Sequence, residues 1–203
     1  FLDHLVANRP GLHVHVLAWD FPIVFAGDRE MFTSYRLGLM THRRLRYCLD
    51  AVHPVGACHH QKIVVIDDAL AFIGGIDFGS RRWDTPEHRL DDPRRTDASG
   101  QPYPPFHDMQ VAVDGDAAAA LGQLARERWL RATGKKITRV AGSAEGLWPE
   151  GIDVALREVD VAIARTDPGI DGLVLTREVE ALYLASVERA EGYYAKAIDA
   201  LPA

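Results

Sequence analysis

The stretch HHQKIVVIDDALAFIGG, residues 59–75, carries the densest strand signal in the chain. Two runs rich in β-branched and other apolar residues meet at Asp67-Asp68, so the stretch reads as a β-hairpin, although Asp-Asp is a weaker turn signal than Asp-Gly. With a two-residue turn, Ile66 pairs with Ala69, Val64 with Ala71, Lys62 with Ile73 and His60 with Gly75. Side chains at i and i+2 share a face of a strand, so His60 and Lys62 project together while Gln61 points away. An imidazole and an ammonium then face one site. A glycine across from the imidazole leaves room for a bulky tetrahedral group. Asp67 has the opposite parity to His60 and lies at the turn, which suits a supporting role rather than attack. A lone His-x-Lys is most often a solvated strand edge. The full spacing of His60, Lys62, Asp67, the pair Gly74-Gly75 and Asp77 is much harder to meet by accident, and its chemistry points at phosphate.

Outward from the hairpin, strands and helices interleave. Residues 1–8 space their apolar positions like the last turns of a helix that begins earlier, and Arg9-Pro10-Gly11 stops it. LHVHVLAW (12–19) alternates as a strand, with His13 and His15 on a solvated face. Residues 28–47 have helical character, with Asp28 as N-cap and the basic cluster His42-Arg43-Arg44 late in the segment. Residues 81–107 hold Pro86, Pro93, Pro102, Pro104 and Pro105 together with Arg81, Arg82, Arg89, Arg94 and Arg95, and show no apolar periodicity. So long a loop is a candidate to flank a site mouth, its arginines free for anions. DMQVAVDG (108–115) reads as a strand, 117–133 as an amphipathic helix closed by Gly134, VDVAIAR (159–165) as another strand, and 176–200 as a C-terminal helix. The pattern is that of an α/β fold, a mixed β-sheet flanked by helices in a single domain over 1–203.

Composition narrows the function classes. The 203 residues are 47% hydrophobic and 26% charged, enough for one sizeable domain and incompatible with disorder throughout. A net charge of −6 argues against a nucleic-acid partner bound by a basic surface. Cys48 and Cys58 are too few for a disulfide scaffold. No metal or cofactor is expected, because His13 and His15 find no third ligand at a recognisable spacing. No apolar run reaches the ~18 residues of a membrane span, and Phe1-Leu2-Asp3-His4 lacks the basic region of a signal peptide. The chain therefore reads as soluble or peripheral to a membrane, of undetermined compartment, and as a piece of something larger.

His60, Lys62, Asp67 and the glycine pair resemble the HxKxxxxD motif of the phospholipase D superfamily. The longer string HHQKIVVIDDALAFIGGIDFGSRRWDTPEH resembles the first such motif of the phosphatidylcholine-cleaving type, with its GGxD and RWD elements. FHDMQVAVDGDAAAALGQLARERW is similar to the His-Asp strand and Arg-Glu-Arg-Trp helix that follow it, and the resemblance covers about residues 1–190. It implies one half of a two-lobed fold and a metal-independent phosphodiesterase that needs no cofactor. In that mechanism His60 is the nucleophile of a phosphohistidine intermediate, Lys62 stabilises charge on the phosphate, and Asp67 supports them. Gly74, Gly75, Asp77, Trp83, Asp84 and His107 are the implied substrate-binding residues. The implied substrate is a phospholipid or other phosphodiester, hydrolysed or transferred to an alcohol, and transient contact with a membrane surface suits it. His-x-Lys occurs once in the chain, so the second motif must come from another half of a parent chain or from a homodimer mate. The chain alone is expected to be inactive. A homodimeric single-motif phosphodiesterase or nuclease, and an inert fragment or binding module, are the alternatives. The GGID and RWD strings speak against the first of these.

Overall fold

The computed structural model describes residues 1–20, 41–140, 142, 145–152, 154, 156–167, 169 and 175–189. Helix α1 (Leu2–Asn8) leads into β1 (Val14–Trp19), which pairs in parallel with β2 (Leu45–Asp50), Val14 opposite Leu45 and Trp19 opposite Asp50. Strands β3 (Lys62–Ile66), β4 (Leu70–Gly74) and β5 (Gln110–Asp114) form an antiparallel sheet in that order. Helix α2 (Gly115–Thr133) follows β5 directly, and a short pair, β6 (Thr166–Asp167) with β7 (Thr176–Arg177), precedes α3 (Glu178–Arg189). Parallel and antiparallel pairing beside helices is the α/β architecture expected from the sequence.

The hairpin forms where the sequence placed it, with its register one residue away from expectation. Lys62 pairs with Gly74, Ile63 with Ile73, Val65 with Ala71 and Ile66 with Leu70. Asp67 and Asp68 both take positive φ (52° and 54°) and Ala69 closes the turn on the Ile66 carbonyl at 3.0 Å, so three residues lie between the paired ones. A one-residue slip turns every side chain of a strand to the other face. The observed register sends Ile63 and Val65 toward the core with Ala71 and Ile73, whereas the two-residue turn would have put Lys62 there. The observed register keeps the Lys62 ammonium out of the apolar core and on the opposite face, where Asp77 pairs with it at 3.1 Å.

The core lies between this sheet and α2. Ala71, Ala118 and Leu121 are fully or almost fully buried, with Ile63, Val65, Ile73, Val113 and Ile163 packed around them. Further along α2, Trp129 is 3% exposed and takes the His15 ring edge-on at 4.9 Å. The expected solvated histidine face is therefore corrected: His13 is exposed, but His15 is half-buried against the helix. Gly122 stands under the hairpin turn, where a Cβ would run into the Asp68 carboxylate that Arg126 holds. That close approach outweighs the ~0.5–1 kcal/mol a mid-helix glycine costs.

Other boundaries also move. Residues 45–47 belong to β2 rather than to a helix; Asp28 and the rest of the stretch up to residue 40 lie outside the described residues. Arg44, from the basic cluster, donates to the carbonyls of Val6 (2.7 Å), Pro10 (2.6 Å) and Leu12 (3.0 Å), tying the end of α1 to the start of β2. Residues 159–165 alternate in sequence yet join no ladder, and Val159 and Val161 are each 51% exposed. A strand needs an edge to pair with, which periodicity cannot report. The last helix starts at Glu178 rather than Thr176, and residues 190–200 lie outside the described residues.

Gly74 and Gly75 sit where β5 comes in. A Cβ on Gly74 would meet the Met109 carbonyl and lie 2.7 Å from the Gln110 Cα, and one on Gly75 would meet the Asp108 carboxylate. The pair thus admits the strand beside it, instead of clearing space across from His60. Gly74→Ala should accordingly destabilise the fold by about 2 kcal/mol, the scale of overpacking against backbone. Urea unfolding of the two proteins measures it, and an unchanged midpoint would refute the close-packing explanation.

Candidate active site

The residues flanking His60 show which way it faces. His59 Nε2 lies 3.3 Å from Asp50, Gln61 receives a hydrogen bond from Arg128 of α2, and Ile63 packs into the core. Positions 59, 61 and 63 all point to the α2 side, so by alternation His60 and Lys62 share the opposite face. His60 is exposed and precedes the first laddered residue, Lys62. The Lys62 side chain is only 8% exposed, and its ammonium lies 3.1 Å from Asp77 Oδ1 and donates to the His60 carbonyl at 3.4 Å. Asp77 itself is 53% exposed. The structure thus holds a fixed cation beside an accessible imidazole, with a carboxylate that orients the cation from its solvent side.

Asp67 is at the other end of β3, five residues from Lys62 and so roughly 16 Å away along the strand. It is exposed, and its carbonyl accepts from the Gly142 amide at 3.1 Å, while the neighbouring Asp68 takes the ion pairs with Arg126 and Arg139. Asp67 acts on the turn, and touches neither His60 nor Lys62.

Residues 81–107 form no helix or strand, only turns and one isolated bridge between Thr96 and Pro102. The loop is nevertheless tightly tied. Asp84, 4% exposed, receives Arg95 (2.9 Å) and the Thr85 amide (2.8 Å) on Oδ1, and His88 (3.0 Å) and the Phe106 amide (2.9 Å) on Oδ2. Those four donors fill its lone pairs. Burial pushes the Asp84 carboxyl up, but the bonds from His88, the two amides and Arg95 outweigh it and hold the group far below the usual carboxylate range. Arg95 is 1% exposed and also donates to the Leu90 carbonyl at 2.7 Å. The expectation of arginines free for anions is corrected for three of them: Arg81 pairs with Asp97, Arg94 with Asp92 and Arg95 with Asp84. Arg82 stacks over Phe106 at 5.0 Å. Trp83 is 49% exposed, with the Arg94 guanidinium 5.5 Å above its ring. His107 is exposed and meets His88 edge-on, ring centroids 5.2 Å apart.

These carboxylates make the loop acid-sensitive. The Arg94 hydrogen bonds and charge hold Asp92 at about 2 instead of 3.8, and the Ser99 and Arg81 side chains carry Asp97 lower still. A carboxyl whose folded pKa lies below its unfolded value stabilises the fold above the unfolded pKa and loses that contribution as pH falls. The loop should hence loosen between about pH 4 and pH 2. Pepsin cleavage within 81–107 should accelerate across that interval, and a rate there that merely follows the enzyme's own pH profile would contradict it.

Residues 46–158, more than half of the chain, match the phospholipase D family. The chain belongs to that family. Among its relatives, phospholipase D beta 2 of Arabidopsis thaliana is 37% identical over 36% of this chain and 10% of its own length. Phospholipase D gamma 3 of the same plant is 33% identical over 63% of this chain and 20% of its own length, and phospholipase D C of Dictyostelium discoideum is 27% identical over 63% and 10%. The chain thus spans about a tenth to a fifth of these relatives. The phospholipase D match includes the hairpin, the tied loop, β5 and α2, the elements that build the site. Among the described residues, no three His, Cys, Asp or Glu side chains group as a metal site, and no helix is long and apolar enough to cross a membrane.

Sequence reading did not find Asp50, His59, Arg128 and His88, and it placed Arg95 among arginines free for anions rather than in a buried ion pair. Asp50 closes a strand and Arg128 lies on a helix, and only the fold brings them to His59. For His88, its position four residues after Asp84 in a proline-containing turn was the available signal.

Proposed function

We propose that this chain is the first catalytic half of a phospholipase D-type phosphodiesterase, cleaving phospholipid by hydrolysis or by transfer to an alcohol through a phosphohistidine at His60. The observation that carries this reading is the nearly buried Lys62 ammonium, oriented by Asp77, on the same face as exposed His60. A neutral imidazole nitrogen attacks phosphorus, the bond to the leaving oxygen breaks, and Lys62 offsets the charge gathering on the non-bridging oxygens. The leaving oxygen takes its proton from a group of the second HxKxxxxD half, which then activates the water or alcohol that resolves the phosphohistidine. That half is supplied by a longer parent chain or by a dimer mate.

The test is headgroup release from phosphatidylcholine vesicles by the chain combined with a second HxKxxxxD half, with and without ethanol and EDTA. Choline release unaffected by EDTA, with a phosphatidyl-alcohol product when ethanol is present, is the expected result. No release, or release that EDTA abolishes and divalent metal restores, would refute it.

A further inference from the structure

We propose that Asp50 and Arg128 are positioning residues that fix His60 by holding the residue on each side of it. The β3 ladder begins at Lys62, so strand pairing does not hold residues 59–61. Their side chains do. Asp50, the last residue of β2 and 0% exposed, receives Arg128 Nη2 on Oδ2 at 2.7 Å. His59 Nε2 stands 3.3 Å from the same oxygen, and the other terminal nitrogen of Arg128 donates to Gln61 Oε1. Arg128 therefore holds Gln61 by a hydrogen bond, while the Asp50 carboxylate it anchors packs against the His59 ring without hydrogen-bonding to Nε2, and His60 is carried between the two. His53 fences the arrangement, its ring edge-on to His59 at 5.4 Å and its Nε2 accepting from Trp19 at 3.1 Å.

A buried ion pair is weak evidence for stability, because desolvation can cancel its attraction, so its value here is geometric. A nucleophile must be held within about 0.5 Å of its productive position, and ~1 Å of misplacement can cost on the order of 10²-fold in rate. Burial and the Arg128 charge keep the His59 pKa below its usual value, and a neutral His59 beside Arg128 does not repel it.

The inference rests on the reactive role of His60, but its test does not need turnover. Backbone ¹⁵N order parameters are measured in the full chain for the parent sequence, Gln61→Ala and Arg128→Lys. Lysine keeps a charge for Asp50 and cannot reach both partners; Gln61 is exposed, so its truncation leaves the buried pair intact. The His60 amide should fall from about 0.85 to below about 0.6 in both variants while Lys62 stays rigid. Combined with a second half, both should lose roughly 10-fold or more in kcat at unchanged KM. A His60 amide as ordered in both variants as in the parent overturns the proposal. Order lost in the variants while the parent shows no turnover with a second half would uphold the clamp and count against the proposed function alone.

Discussion

His60→Ala, in an assembly holding both HxKxxxxD halves, should abolish turnover, and Lys62→Ala should lower kcat about 10²- to 10³-fold. On the proposed mechanism the first loss is complete, because the adjacent imidazole, His59, is turned toward Asp50 on the α2 side and cannot stand in for His60. The second loss has two parts. Removing Lys62 withdraws the cation that meets the developing phosphate charge. It also leaves the Asp77 carboxylate, now 3.1 Å from the ammonium, unopposed in the same place. Adding Asp77→Asn to Lys62→Ala should therefore recover part of the lost rate. A double variant slower than Lys62→Ala alone would show that Asp77 serves the reaction in another way.

The 203-residue chain alone should be inactive or nearly so on phosphatidylcholine. Attack on phosphorus and protonation of the leaving oxygen take place on opposite sides of the phosphate, and one strand face cannot supply both groups. Absence of the general acid removes a factor of about 10² to 10⁴ by itself, and absence of a second lysine compounds it. Turnover is followed across a dilution series of purified protein together with its oligomeric state. Robust turnover by a proven monomer would contradict the two-half mechanism, and activity proportional to the dimer fraction would make a homodimer mate the source of the second half.

Local signals made much of this fold legible. The hairpin at 59–75, β1, β5 and the helix ending at Gly134 each rest on periodicity or cap chemistry that a short window contains. The face shared by His60 and Lys62 followed from strand parity alone, and the flanking contacts of His59 and Gln61 agree with it. What the sequence hid was nonlocal. The register of the hairpin depends on which side chains α2 buries, and the glycine pair depends on how near β5 passes. The arginines of 81–107 looked free because their carboxylate partners, Asp84, Asp92 and Asp97, carry no periodic mark. Asp84 is 11 residues from Arg95 in the chain yet shares a buried ion pair with it, and Asp50 meets Arg128 across 78 residues.

The central claim, that His60 is the group that bonds to phosphorus, is tested most directly by trapping it. When the diester carries radioactive phosphorus and an aryl leaving group, the aryl oxide departs as a stable anion without the missing acid and the labelled phosphorus stays on the imidazole, which lets the chain be labelled without a second half. After an alkaline quench and digestion, the phosphohistidine mechanism predicts an acid-labile, base-stable phosphoryl label on the peptide containing His60, absent from His60→Ala. No label, or label that persists on another residue in His60→Ala, would contradict it.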